Sequence, residues 1–130
     1  MDAVVAANSG MDSAALNVYS GLAFVPLAAT PTCNAIKATP HSWSQSRHYQ
    51  LRTTSVVVIE VAPPAVATDL MPQSRGNPIA MQLDAYIAET MGFLASDASE
   101  IRVESVKRLR GAEAPGNHAA VFGMLNAAWC

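Results

Sequence analysis

The sequence predicts an α/β fold: a parallel sheet with flanking helices. Three observations carry that prediction. Residues 54–61 contain the run Ser-Val-Val-Val-Ile-Glu-Val, almost continuously β-branched, which suits a parallel strand buried on both faces. A stretch with helical spacing separates that run from an earlier apolar segment at residues 14–19, and a strand–helix–strand unit implies a right-handed parallel crossover. Hydrophobic residues make up 51% of the chain and charged residues 14%, the balance of a buried-sheet protein and not of a disordered chain. At 130 residues there is room for one domain and not for two.

The elements follow in order. Residues 1–13 form a poorly defined N-terminal segment, in which Ala3 to Ala7 suit a short strand and Asn8-Ser9-Gly10 a turn. Residues 14–19 read as a buried strand. Gly21 to Thr32 form a small-residue loop with Pro26 and Pro31. Residues 33–52 have helical spacing, with Ala35, Thr39, Trp43, Arg47 and Leu51 on one stripe. Pro40 opposes that helix, since an interior proline costs roughly 3 kcal/mol, and Arg47 puts a charge on the stripe. The strand Thr54–Val61 stops at Pro63-Pro64, and a loop with Pro72, Gly76 and Pro78 follows. Residues 82–95 predict an amphipathic helix with Leu83, Ile87, Met91 and Leu94 on one face. Ser99 to Arg110 reads as another helix, N-capped by Ser99, with Ile101, Val106 and Leu109 as its apolar contacts. Glu104 is spaced to pair with Lys107 and Arg108, and Gly111 ends that helix. Residues 118–128 suit a last short helix. Two or three strands make a small sheet, and Val56–Val61 is expected to lack a neighbour on one side.

Composition excludes several classes of function. The net charge is −2 with no basic run, so nucleic acid is not a partner. Cys33 and Cys130 make no disulfide framework, which suits a reduced, cytoplasmic chain. The first 36 residues carry only Asp2 and Asp12 as charges, unlike the cationic start of a secretory signal. No stretch of about 18 apolar residues exists, so no membrane span is expected. His41, His48 and His118 lack metal-ligand spacing, and His41 and His48 read as surface or interface groups. Ser42, Ser44 and Ser46 read as helix surface, and Met71, Met81, Met91 and Met124 as packing residues. Trp43 and Trp129 are too isolated for an aromatic cage.

One spacing is more specific. Ser20 precedes Cys33 by thirteen positions, and Lys37 follows Cys33 by four. The segment Tyr19-Ser20-Gly21-Leu22-Ala23-Phe24 … Cys33-Asn34-Ala35-Ile36-Lys37 resembles the active-site strand and helix of the short-chain dehydrogenase/reductases, where Ser is followed by Tyr-x-x-x-Lys. Ala62-Pro63-Pro64-Ala65-Val66-Ala67-Thr68-Asp69 is similar to the family's Pro-Gly-x-Val-x-Thr segment. The Lys37 helix lies between the two strands, as in that family. The likeness runs from about Ala14 to Asn126 and corresponds to the family's C-terminal half. It implies a partial Rossmann-like sheet, with residues 14–130 as an SDR-like half-domain.

The resemblance also implies roles. Ser20 would orient the substrate carbonyl. Lys37 would supply the cation that lowers a phenol's pKa, and would hold the ribose hydroxyls. Pro63, Val66 and Thr68 would lie beside the nicotinamide of NAD(P), and the substrate would be a small carbonyl or alcohol. Cys33 occupies the tyrosine position. Its thiol falls short of where the phenolic oxygen sits, and proton transfer needs heavy atoms about 2.6–3.2 Å apart. The seven glycines (10, 21, 76, 92, 111, 116 and 123) include no dinucleotide-binding spacing, so the pyrophosphate lacks its seat. Ala7-Asn8-Ser9-Gly10 echoes the family's Asn-Asn-Ala-Gly, and a plain turn is the preferred reading.

The reading adopted is a truncated short-chain dehydrogenase/reductase, inactive alone. One alternative is a non-catalytic oligomerisation module, forming a homo-oligomer or pairing with a related chain, because the helix after the serine strand usually packs in a dimer interface in that family. The other is a residual enzyme that uses Lys37 or Cys33 differently.

Overall fold

The computed structural model describes residues 13–70, 76–96 and 98–129. The readings placed on residues 1–12, Met71, Pro72 and Cys130, and on the Trp129 side chain, lie outside what it describes. Three parallel strands form the main sheet: β1 (Ser13–Val18), β2 (Val56–Val61) and β5 (Glu100–Ile101), in the order β1-β2-β5. β1 and β2 pair along their whole length, from Ser13 opposite Val56 to Val18 opposite Val61. A second parallel pair joins β3 (Val66–Ala67) to β4 (Met81–Gln82). Helix α1 (Pro31–Leu51) links β1 to β2, and α2 (Leu83–Leu94) lies between β4 and β5. Helix α3 (Glu104–Arg110), a 3₁₀ turn (Gly111–Glu113) and α4 (His118–Trp129) complete the chain.

The α/β class with parallel strands and flanking helices is therefore present, and several local expectations change. The β-branched run is the central strand, and on the side expected to be open β5 pairs with its last two residues, Glu60 and Val61. β5 takes residues assigned to a helix: Ile101 is buried as a strand residue beside Val61, and α3 starts at Glu104 with Val103, not Ser99, at its N-cap position. A β-branched residue beside a buried strand gains more from pairing there than from one more helical turn. Lys107 does pair with Glu104. α1 begins inside the expected loop, because Pro31 at its first turn has no N–H to lose.

Pro40 does not end α1, and the helix packs on a different stripe from the one expected. Asn34, His41, Ser44 and Leu51 are buried, with Lys37 and His48 half-buried between them. That spacing alternates three and four, which keeps one face on the sheet. A strict spacing of four drifts around the helix, so Ala35, Thr39 and Trp43 end up exposed. The buried stripe is polar and is tied down by hydrogen bonds: Asn34 Nδ2 donates to the Leu27 carbonyl (2.6 Å), Asn17 Nδ2 donates to Ser44 Oγ (2.9 Å), and His48 Nε2 meets the Val58 carbonyl. Ser44 Oγ donates in turn to the Pro40 carbonyl (2.8 Å). Ser44 is thus fully buried, contrary to its reading as helix surface.

The larger apolar cluster lies beyond the strand ends, and a smaller one joins Leu51 to Val56 and Val58 of β2. Tyr19, Phe24, Val25, Ala62, Val103, Val106 and Ala112 form one buried cluster. Gly21 sits where a Cβ would come within 3.0 Å of Leu109 Cδ1 and 3.3 Å of Val106 Cγ1, so α3 packs directly on the turn after β1. The apolar face expected on α2 is present in pattern but open to solvent, with Leu83, Ile87 and Met91 exposed. Met124 is exposed as well, with its sulfur against the Arg108 guanidinium at 3.7 Å.

Candidate functional site at the carboxyl ends of β1 and β2

Parallel α/β sheets bind ligands at the carboxyl ends of their strands, and Ser20, Pro63, Val66 and Thr68 all follow those ends. β1 hands the chain to Tyr19, whose N–H donates to the Val61 carbonyl at 3.0 Å. The Gly21 N–H then donates to the Pro63 carbonyl at 2.9 Å. These two bonds hold the Ser20 turn against the loop after β2. Ser20 itself is half-buried, and its Oγ accepts the Leu22 N–H at 3.2 Å, capping the 3₁₀ turn Gly21–Ala23.

The first two turns of α1 carry Cys33 and Lys37. A separation of four places them one above the other on the helix surface. Cys33 is exposed, and Lys37 is half-buried. Val66 lies in β3 opposite Met81, and Thr68 Oγ1 accepts the Leu70 N–H at 3.4 Å. The structure thus joins the Ser20 turn to the Pro63 loop by backbone bonds. Among the described residues, no hydrogen bond links the side chains of Ser20, Cys33, Lys37 and Thr68 to one another.

Directly behind Ser20 lies a polar cluster that the sequence reading did not assemble. The Tyr19 hydroxyl donates to Glu60 Oε2 at 2.9 Å. His41 Nδ1 lies 2.8 Å from the same oxygen and 3.1 Å from the Tyr19 hydroxyl. A carboxylate only accepts, so the Nδ1 nitrogen facing it carries the proton. His41 Nε2 faces Gln45 Nε2 at 3.3 Å and Glu113 Oε1 at 3.6 Å. Phe24 closes the cluster, its ring 5.0 Å from that of His41 and nearly perpendicular to it. At 7% exposure His41 is no surface group, and His48 is half-buried on the Val58 carbonyl. His118 is exposed and stacked on Phe122.

Burial pushes the Tyr19 phenol well above its ordinary range, and the adjacent Glu60 carboxylate pushes it further. That shift disfavours loss of the Tyr19 proton. A signal for the cluster was available. Glu60 is the one charge in an otherwise apolar strand, and a buried carboxylate must find hydrogen-bond donors.

No family model matches the chain. It is 41% identical over 105 residues to DltE of Bacillus subtilis (strain 168), an uncharacterized oxidoreductase. That match covers 78% of this chain and 42% of the relative. In fold it is similar to a short chain dehydrogenase from Burkholderia cenocepacia J2315, solved in complex with NADP, with a TM-score of 0.72 and 22% identity. That likeness covers 95% of this chain and 50% of the other. The chain therefore spans about half the length of the proteins it matches. In fold the chain matches about half of a short-chain dehydrogenase, and in sequence it is related to an oxidoreductase.

Proposed function

We propose that the chain keeps the nicotinamide side of an NAD(P) site and, by itself, does not turn over a carbonyl or alcohol substrate. One observation carries this reading. Position 33 holds an exposed thiol, while the phenol beside Ser20, that of Tyr19, is locked on Glu60 and His41 behind the site.

The residues present fit part of the cofactor. Among the described residues Lys37 has no ion-pair partner, so its ammonium is available to ribose hydroxyls. Ser20 and the segment containing Pro63, Val66 and Thr68 follow the ends of neighbouring strands. No glycine-rich turn among the described residues offers the pyrophosphate a seat. NAD(P) would supply the hydride when bound. This chain's part would be to orient the carbonyl through Ser20 and to hold the ribose through Lys37.

Thermal unfolding with and without excess NADPH tests the reading, since a ligand that binds only the native state raises its stability. The expected result is an upward shift that Lys37→Ala removes, with no NADPH consumption on small aldehydes or ketones. Steady NADPH oxidation by the unaltered chain would overturn it. Cys33→Tyr restores a phenol at the right spacing and is expected to bring slow turnover where Cys33→Phe does not.

A second reading, an oligomerisation module, has its own support. The outward face of α1 carries Ile36, Trp43 and Tyr49, all exposed. Pairing of two copies or of related chains through that face would bury them. Sedimentation that stays monomeric at high concentration would remove this reading.

A further inference from the structure

Two helices carry exposed apolar stripes of opposite charge. α1 contains Lys37 and Arg47 and no acidic residue. α2 contains Asp84 and Glu89 and no basic one. On α1, Ile36 and Trp43 are exposed and stand two turns apart on one side of the helix. Arg47 extends that side by one more turn. Its guanidinium lies 5.1 Å from the centre of the Trp43 ring, and its Nη1 donates to Gln50 Oε1 at 2.8 Å. Lys37, half-buried, belongs to the stripe that faces the sheet. On α2, Leu83, Ile87 and Met91 recur every fourth residue at 42%, 48% and 58% exposure. Asp84 is exposed and flanks them, three positions before Ile87 and so its neighbour on the helix surface. Glu89 is turned elsewhere, its Oε1 accepting the Glu104 N–H at 2.7 Å. Each stripe thus has one charge at its margin: Arg47 on α1, Asp84 on α2. Both are open in the same copy, so neither covers the other.

We propose that α1 of one copy docks on α2 of a second copy, a head-to-tail contact that lays Ile36 and Trp43 on Leu83, Ile87 and Met91 and brings Arg47 beside Asp84. This deepens the oligomerisation reading and rests on it, by naming the face that the α1 stripe meets. Charge selects the pairing. α1 on α1 sets a basic helix on a basic one, and α2 on α2 an acidic helix on an acidic one. Of the three pairings, α1 on α2 alone brings opposite charges into one contact. The lengths agree as well: at the helical rise, Ile36 to Arg47 spans about 17 Å and Leu83 to Met91 about 12 Å. Because the contact joins two different faces, every added copy leaves one face of each kind free. Growth then continues into an open chain or closes into a ring. One stripe from each copy is less than the roughly 800 Å² per partner of a standard interface. The association is therefore weak, and its ionic part falls as salt rises.

The test sediments the full 130-residue chain from about 10 μM to about 1 mM. The expected average mass rises past that of a dimer without levelling off. Two variants block one face each at exposed positions: Ile36→Gln with Trp43→Gln on α1, and Ile87→Gln with Met91→Gln on α2. Either is expected to weaken self-association at least about ten-fold. An equimolar mixture of the two keeps one intact α1 and one intact α2, and is expected to form a 1:1 complex that grows no further. Charge exchange gives an independent check. Arg47→Glu and Asp84→Lys are each expected to weaken association about five-fold, and the chain carrying both to recover to within about two-fold. A mixture that forms no complex, or a double exchange that recovers nothing, would overturn the proposal. A dimer that levels off and ignores Ile87→Gln with Met91→Gln would overturn it too, while leaving the oligomerisation reading in place. A chain that stays monomeric at about 1 mM would remove both. Because mass is the readout, none of these outcomes touches the NADPH reading.

Discussion

At the residue scale, Tyr19, His41 and Glu60 tie together the three segments that form the candidate site. Tyr19 precedes Ser20, His41 lies one turn beyond Lys37, and Glu60 precedes the strand end that bonds Tyr19. A displacement of any one of them shifts Ser20, Lys37 and Pro63 together. The Tyr19 phenol also leaves a signature in pH. Its folded pKa is raised by burial and by Glu60, so the folded chain holds that proton more tightly than the unfolded chain. The contribution to stability is fully present below the ordinary phenol value near 10 and is lost as pH rises above it. The slope approaches about 1.4 kcal/mol per pH unit. Urea unfolding between pH 8 and pH 11 is expected to show Tyr19→Phe with a shallower alkaline loss than the unaltered chain. Equal slopes would mean that Tyr19 is not held as described. The ruler of Ser20, Cys33 and Lys37 was legible in the sequence because it is a spacing along the chain. The triad was not, because its members stand 19, 22 and 41 positions apart and meet only once α1 lies on the sheet.

At the scale of elements, legibility followed the source of each element's stability. β2 declared itself through local β-branching, and the Pro63-Pro64 stop was visible beside it. β5 did not, because two residues carry no periodicity, and Glu100 and Ile101 become a strand only when Glu60 and Val61 are there to pair. The stripe of α1 was misread for a related reason. An apolar face was sought, and the face that packs is polar: Asn34, His41 and Ser44, held by hydrogen bonds. Pro40 lies within that helix, and its ring removes one backbone bond. Pro40→Ala returns the N–H without adding bulk, and is expected to raise stability by about 1–3 kcal/mol in urea unfolding. A neutral or negative effect would show that α1 needs the break at Pro40 to bring His41 onto Glu60 and Ser44 onto Asn17.

At the scale of the whole molecule, what stands out is apolar surface without cover. Leu16, Val18 and Val57 of the main sheet, the α2 stripe of Leu83, Ile87 and Met91, and the outward residues of α1 are all exposed, yet the Tyr19–Val106 cluster is closed and its polar neighbours are hydrogen-bonded. The composition announced this indirectly: an apolar content of 51% is more than two small sheets, with five short strands among the described residues, can bury. Exposed apolar area usually signals loosened packing, as in a molten globule, which binds hydrophobic dyes but loses near-ultraviolet circular dichroism. Here the two properties are expected to separate. The native chain should bind 8-anilinonaphthalene-1-sulfonate while Tyr19 and Phe24, held edge to face at 6.0 Å, keep a near-ultraviolet signal that melts cooperatively. Leu16→Glu with Val57→Glu should lower dye binding and leave that signal and the melt in place, because neither side chain belongs to the closed cluster. Dye binding together with a flat near-ultraviolet spectrum would instead mean that the core itself does not close without a partner.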